Sequence, residues 1–577
     1  MVDWLRPTFL LRTGLEVALS GLFARFADKR ELEAGLPSDP AAEPGAPIPY
    51  ADRTFRDEDG VLWFDYASDV GEGFDPTYTV AWLLAQPSLS IGGERQRHHT
   101  KRGRFLVLGG DQVYPSASWD AYRDRFVGPY RAALPFTKSD NPHVYAIPGN
   151  HDWYDGLTSF MRLFSQPSWI GAWRTRQRRS YFALRLSEKW WLWATDIQFD
   201  TYMDGPQLDY FRGKRRDLRD GHRVILATAK PSWVGAHGNG ETGLKREGSW
   251  EVLSYIEEEL IGGKTGARVA VTITGDKHHY SRYQRGVPGR PKHRITAGGG
   301  GAHTSATHDL ERFIHLRPHG SDASVCYERF GTSPTPEQSR AMRPVALRRI
   351  AREHPLGWLI GAIYAVLAVL MADGIKDQDT GLESELLGGS FFSLLVDSGT
   401  VWNLGLIMLL LFGLRTFARR GKLSKAKAWL FATVHTLAHV LPAIALTLLA
   451  LLLFEGWGWA GEKGVLLGWV AAALLFMVGF SYGSLVFAVY LGLANMNNAL
   501  QHATEIYGGL ASTDYKNFLR FRLDPNEQLT IYPVGIRTCP RWEVSKRDAG
   551  ESDPWFEPHP TEPEATLIEA PIRVDPG

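Results

Sequence analysis

Apolar positions come in short runs through the first half of the chain and in long runs through the second. Between about residues 55 and 340 the runs VLWFDYA, RFLVLGG, HVYAIPG, RVILATA and RVAVTITG alternate with polar loops. Short continuous apolar runs of this kind read as buried strands. The segments between the first few are long enough to hold helices, so the pattern predicts an α/β layered fold. From about 356, four longer apolar stretches follow, roughly 356–372, 399–418, 428–454 and 465–493. Each is near or above the ~18–20 residues that span a bilayer. They predict an all-α transmembrane domain of four helices.

The ends are read separately. In residues 4–30, Leu11, Leu15, Ala18, Leu19, Leu22 and Phe26 recur at helical spacing, while Arg12, Arg25, Lys29 and Arg30 fall mostly off that stripe. This is an amphipathic helix, lying either on a membrane surface or on the protein's own core. Residues 31–50, rich in Pro, Ala and Gly, read as a linker. After the last apolar stretch, DYKNFLRFRLDPNEQLTIYPVGI reads as two strands joined by a turn. The Pro- and Glu-rich stretch 546–577 reads as disordered. The expected organisation is therefore helix and linker (1–48), α/β domain (49–345), transmembrane domain (346–494), returning cytoplasmic segment (495–545) and tail (546–577).

Charge refines this picture. The chain of 577 residues has 64 Lys plus Arg against 63 Asp plus Glu, so no basic excess points to nucleic acid. Two cysteines, Cys326 and Cys539, exclude a disulfide framework. The loop after the second apolar stretch holds Arg415, Arg419, Arg420, Lys422, Lys425 and Lys427, and Arg348, Arg349 and Arg352 precede the first. The loop between those stretches is acidic. The positive-inside rule then makes this an integral cell membrane protein with the α/β domain and both termini cytoplasmic.

Four short motifs carry candidate chemistry, each at the end of a predicted strand. They are SDVGEG with Asp69 and Gly71, GGDQVY with Asp111 and Tyr114, PGNHDW with Asn150, His151 and Asp152, and TGDKHHY with Asp276, His278 and His279. Strand C-termini are where open α/β sheets build ligand sites. Hydrolysing a phosphoester calls for a strong nucleophile and for neutralisation of phosphoryl charge. Two metals about 3.5–4 Å apart supply both. Asp111 is the candidate bridging carboxylate, and carboxylate, imidazole and amide donors suit Mn, Fe or Zn. His151 is the candidate acid for the leaving oxygen.

In this order the motifs resemble the calcineurin-like metallophosphoesterase superfamily, over about residues 55–310. The resemblance implies a layered β-sandwich flanked by helices. Two departures, Gly71 in place of a histidine and Tyr114 as the second-motif partner, resemble the purple acid phosphatase variant, D-x-G with G-D-x-x-Y. That variant implies one metal held by Asp69, Asp111, Tyr114 and His278, with a phenolate that favours ferric iron. A second metal would take Asp111, Asn150 and Asp276. The resemblance also calls for a histidine after RVILAT, where Ala229 stands, so this second site lacks a ligand. His237 is a candidate substitute. Lys230 and His279 are candidates for contacting substrate phosphate, His279 lying beside the ligand set rather than in it.

Each of these residues has a plainer reading. Singly, Asp69 and Asp111 are ordinary turn residues, His151 is a structural cap, and Tyr114 packs in a core. The glycines Gly298 to Gly301 lack a P-loop ending and read as a close backbone approach. Nothing selects the nearby His303 or His308 for the site. His435 and His439 share one helical face in the third apolar stretch, either as functional groups or as bonds between helices. The segment WIGAWRTRQRRSYFALRLSEKWWLW reads as a membrane-proximal face or a strand pair.

These readings predict a membrane-anchored phosphoesterase acting on a phosphomonoester or phosphodiester through metal-activated water. A lipid-linked phosphate is one candidate substrate. Two alternatives stay open: a sensor that binds metal and phosphate without turnover, and a membrane transporter regulated by a phosphoesterase-like domain.

Overall fold

The computed structural model describes residues 1–7, 11, 14–15, 50–93, 96–138, 141–197, 203–236, 248–263, 265–286, 291–353, 355–376, 400–420, 423–456, 462–496, 500–545, 550 and 552–575. The expected N-terminal helix and linker, the acidic loop and His237 lie mostly or wholly outside them. The chain divides into two compact units. One comprises Met1–Val2, Thr13–Arg340 and Ala511–Gly577, and the other Asp3–Arg12 and Ala341–Leu510.

The first unit is mixed α/β and contains two large sheets, of eleven and eight strands. At the centre of the first sheet lie β1 (Leu62–Ala67), β2 (Phe105–Leu108) and β3 (His143–Ala146), mutually parallel. The second sheet is built around β4 (Trp190–Thr195), β5 (Arg223–Thr228), β6 (Arg268–Thr274), β7 (Tyr280–Arg285) and β8 (Lys292–Ala297). Of these, β4, β5, β6 and β8 are parallel neighbours and β7 runs antiparallel to β8. The five apolar runs of the sequence are β1, β2, β3, β5 and β6.

Those runs are continuous because each strand is covered on both faces. Phe64, Tyr66 and Val107 meet Leu192, Ile225 and Ile273 in one buried cluster shared by the two sheets. The intervening Leu106 and Leu108 pack on Tyr78 and Leu83 of the helix Phe74–Ala85. Trp193 and Leu226 do the same against Trp233 and Trp250. The Arg- and Trp-rich segment is the strand-pair alternative: Phe182–Arg185 pairs antiparallel with β4, and Trp190 and Trp193 are buried.

The C-terminal segment is part of the first sheet rather than an appendage. Strand β9 (Lys516–Leu523) pairs antiparallel with β1, and β10 (Leu529–Ile536) pairs with β9. The disorder expected over 546–577 is corrected over its described residues. Phe556–His559 pairs with Arg541–Val544, while Ala565–Leu567 and Ile572–Val574 both pair with β10. The composition misled because its acidic and apolar residues find partners. Ile572 and Val574 enter the cluster between the sheets, and Glu569 accepts from Tyr280 Oη at 2.6 Å and Arg282 Nε at 2.9 Å.

The second unit holds four long helices, α1 (Gly357–Lys376), α2 (Thr400–Arg420), α3 (Lys425–Gly456) and α4 (Glu462–Ala494). Among the described residues, two stretches, Lys425–Ala450 and Trp469–Ala494, are long and apolar enough to cross a membrane, and Gly357–Val369 is apolar but shorter. Among the described residues, length and composition thus support two of the four expected spans. Small residues let α1 and α4 approach closely. A Cβ on Gly483 would stand 2.2 Å from Ile360 Cγ2, and one on Gly479 2.7 Å from Tyr364 Cγ. His439 bonds between helices, with Tyr364 Oη 3.4 Å from its Nδ1, whereas the His435 ring stacks on Tyr490 at 4.7 Å.

Candidate metal centre

The parallel strands deliver their following loops to one edge. The loop after β1 runs alongside the loop after β2 through backbone bonds. Asp69 N donates to Gly110 O (3.0 Å), Val70 N to Asp111 O (3.1 Å) and Gly71 N to Gln112 O (3.1 Å). Gly71 is required for this pass, because a Cβ there would stand 2.3 Å from Gln112 O. That contact explains why the position carries no histidine. Gly149 is required likewise, since its Cβ would meet Asp111 Oδ1 at 2.1 Å. Asp69, Asp111 and Asp276 all take left-handed backbone conformations, with φ of 60°, 53° and 65°. Strain of this kind at non-glycine residues persists only where surrounding structure imposes it, and it concentrates at functional sites.

Four of the expected ligands converge. Tyr114 Oη donates to Asp69 Oδ1 at 2.8 Å, and lies 3.4 Å from Asp111 Oδ2 and 3.1 Å from His278 Nε2. Asp69 also accepts from Ser68 Oγ at 2.8 Å and from Asp276 N at 3.0 Å, and Asp111 accepts from His151 N at 2.8 Å. Burial, and then repulsion between acids, pushes the Asp69 and Asp111 carboxyls well above the ordinary carboxylate range. Burial holds the His278 imidazole far below its usual value, and its Nδ1 is buried without a hydrogen-bond partner among the described residues. Facing buried carboxylates with an imidazole and a phenol make a donor set that a cation would satisfy. The residues present therefore fit a metal.

The remaining expected residues frame this set. Asn150 opens the short helix Asn150–Trp153, and its Nδ2 donates to Tyr154 Oη at 2.9 Å. Asp276 sits nearer solvent, 3.1 Å from Lys277 Nζ. The His151 ring is 4.4 Å from that of Tyr114, with Nδ1 2.5 Å from the Pro115 carbonyl. Burial lowers His151 to about 4. Asp152, next along, fixes the turn by accepting from Gly149 N at 2.8 Å, Gln112 N at 3.2 Å and Tyr122 Oη. Ala229 is buried in the cluster between the sheets and offers no ligand. Lys230 follows it at intermediate exposure. His279 is buried, with its imidazole against the Ala306 backbone, and burial lowers it to about 3.

Three residues enter the site that the motifs did not select. Glu72 Oε2 accepts from His303 N at 2.8 Å and lies 2.9 Å from His303 Nδ1. The His303 ring meets that of His278 edge-on at 4.5 Å. Lys516, from β9, donates to Ala302 O at 2.5 Å and Thr304 Oγ1 at 3.0 Å, and burial lowers it to about 8. The glycine run brings His303 in. A Cβ on Gly298, Gly299, Gly300 or Gly301 would stand 2.4, 2.1, 2.5 or 1.9 Å from Lys277 O, Asn517 Nδ2, Ser68 O or Val70 O respectively. That run was the available signal for His303. Glu72 had only its place three residues past Asp69. His308 instead pairs with Ser339 Oγ at 2.8 Å.

No protein-family profile and no curated protein matches the chain. Solved structures with partial likeness include "GAP50 the anchor in the inner membrane complex of Plasmodium", at 11% identity and TM-score 0.28, over 48% of this chain and 85% of that one. A purple acid phosphatase, PPD1 from yellow lupin (Lupinus luteus) seeds, aligns at 12% identity and TM-score 0.29, over 50% of each chain. PhoD aligns at 13% identity and TM-score 0.28, over 46% of this chain and 60% of that one. The chain thus spans half the length of PPD1 and three-fifths of that of PhoD. At these values the likeness assigns neither a family nor an activity.

Proposed function

We propose that the α/β unit is a metal-dependent phosphoesterase that hydrolyses a phosphomonoester or phosphodiester with water, and that the helical unit anchors it in a membrane. The observation that carries this reading is the convergence of Asp69, Asp111, Tyr114 and His278 around one hydroxyl, with three acids in left-handed backbone. In the fuller form of the proposal, the two sheets form the layered sandwich of such an enzyme and all four long helices cross the membrane. The Lys and Arg distribution would then place the α/β unit in the cytoplasm, where a lipid-linked phosphate is within reach of an anchored site.

Asp69, Asp111, Tyr114 and His278 would hold one cation, and Asp111, Asn150 and Asp276 a second. Bound there, such cations acidify water and neutralise phosphoryl charge. The protein's own groups set the rest. The fixed backbone at Asp69 and Asp111 keeps both carboxylates aimed without reorganisation. The Pro115 carbonyl holds the one proton of neutral His151 on Nδ1, leaving a lone pair on Nε2. In that state His151 accepts a hydrogen bond. It protonates a leaving oxygen only after taking up a proton, which an anionic phosphate beside it favours.

The direct test is chelation. Full-length protein in detergent should hydrolyse an aryl phosphate, lose that activity on metal removal, and regain it with manganese, iron or zinc. Activity indifferent to chelation would overturn the proposal. A second reading, a sensor that binds metal and phosphate without turnover, is favoured by one observation: the methyl of Ala229 occupies a strand end where a ligand was expected. It predicts phosphate binding by the loaded protein with no hydrolysis.

A further inference from the structure

We propose that Glu72, His278 and His303 form a divalent-cation site of the two-histidine, one-carboxylate type. The site shares His278 with the Asp69, Asp111, Tyr114 and His278 set, and shares no residue with the position of Asp111, Asn150 and Asp276 that lacks a ligand at Ala229. The proposal deepens the phosphoesterase reading and rests on it only for the role of the cation, not for its binding.

Three observations carry it. First, one donor atom from each residue lies within 4.8 Å of the other two, although the residues come from three loops, after β1, β6 and β8. Ligands around a tetrahedral ion with bonds of about 2.0–2.1 Å stand somewhat closer than that, so a modest contraction closes the shell. Second, the chemistry is matched. The Glu72 side chain is fully buried, and His278 carries a buried Nδ1 without a partner among the described residues. A buried carboxylate is costly without positive charge beside it. Two imidazoles and one carboxylate are a common catalytic ligand set for zinc and ferrous iron, leaving open positions for water or a phosphate oxygen.

Third, His303 is held in place from both sides. Four glycines thread the preceding backbone against Lys277, Asn517, Ser68 and Val70 in turn. Ala302 N donates to Asp69 O at 2.8 Å, and the buried Lys516 ammonium bonds Ala302 O and Thr304 Oγ1, the residues flanking His303. Lys516 is thus a positioning residue for His303. It reaches the site from β9, beyond all four long helices in sequence.

His278 belongs to both ligand sets; a neutral imidazole has one lone pair to give, so holding both cations at once would require His278 to release its remaining N–H proton to solvent and offer both ring nitrogens. Loss of His278 should therefore weaken both positions. Loss of Glu72 or His303 should empty one, and loss of Asp111 the other.

The experiment measures metal per chain on detergent-solubilised full-length protein equilibrated with Zn2+ alone and passed through a desalting column. Glu72→Gln and His303→Ala should each bind one ion fewer than the unaltered protein. Unchanged stoichiometry in both would overturn the proposal. Asp111→Asn separates the two readings: if it keeps its full complement while His303→Ala loses an ion, the phosphoesterase centre fails and this site stands. The reverse result leaves that centre standing and sinks this site. Should His303→Ala not fold, His303→Cys loaded with Co2+ should gain a near-ultraviolet thiolate-to-cobalt band that the unaltered protein lacks. Folded, cobalt-loaded His303→Cys without that band contradicts the assignment.

Discussion

Tyr114 donates its phenolic hydrogen to Asp69 across 2.8 Å, with both side chains fully buried. Replacing Tyr114 by Phe keeps the ring and removes only the hydroxyl. Asp69 retains its bonds from Ser68 Oγ and Asp276 N. The cost in stability should therefore stay near that of one buried bond, about 1–3 kcal/mol, read by urea unfolding. In protein loaded with ferric iron, the account predicts a visible tyrosinate charge-transfer band that disappears in Tyr114→Phe. A band that survives the substitution would exclude Tyr114 as a ligand.

The buried acids give the metal-free protein a pH dependence of definite sign. Unfolded, these carboxyls titrate near about 4. Folded, Asp69, Asp111 and Asp152 keep their protons to higher pH, chiefly through burial, and Asp111 to about 8. Below about pH 6.5 the buried histidines, lowered to about 4 at His151 and about 3 at His279, oppose this effect; above about pH 7 they are neutral in both states, so there the folded state binds more protons and its stability falls as pH rises. A cation favours the ionised carboxylates and should flatten the slope. Melting temperature against pH, with chelator and with manganese, checks this. Chelated protein that gains stability from about pH 7 to about pH 8 would contradict it.

The C-terminal segment is fastened to the first strand by charge as well as by backbone. Arg520 stands opposite Asp65 in the β1–β9 pairing, and its Nε and Nη2 reach the carboxylate at 2.7 and 3.1 Å. Both side chains are buried. Arg520→Ala leaves the acid unpaired and should cost about 3–5 kcal/mol. Replacing both residues with apolar ones should recover most of that loss. Equal losses in the single and double variants, measured by denaturant unfolding, would show that the pair itself matters little.

Much of the α/β unit was legible because its strands are covered on both faces. VLWFDYA and RVILATA can be continuous apolar runs only where Phe64 and Ile225 face one cluster and their neighbours face others. The convergence of Asp69, Asp111 and His278 around Tyr114 was legible through motif order, since parallel strands put successive loop ends at one edge. Glu72 and His303 were not. Their approach depends on the glycine run passing Ser68 and Val70 too closely for a side chain to fit on the run, which is a property of two loops together. The tail was misread because Pro and Glu content says nothing about an open strand edge such as that of β10.

The central claim is that the acids at these strand ends carry out phosphoester hydrolysis. The measurement that reaches it most directly is steady-state turnover of an aryl phosphomonoester by metal-loaded full-length protein beside folded Asp111→Asn. The account predicts measurable turnover that falls by about 100-fold or more in the variant, since even residues that only support a ligand cost 10–100-fold in many metal sites. Equal turnover in the two proteins, or none in the folded and metal-loaded unaltered chain, would contradict it.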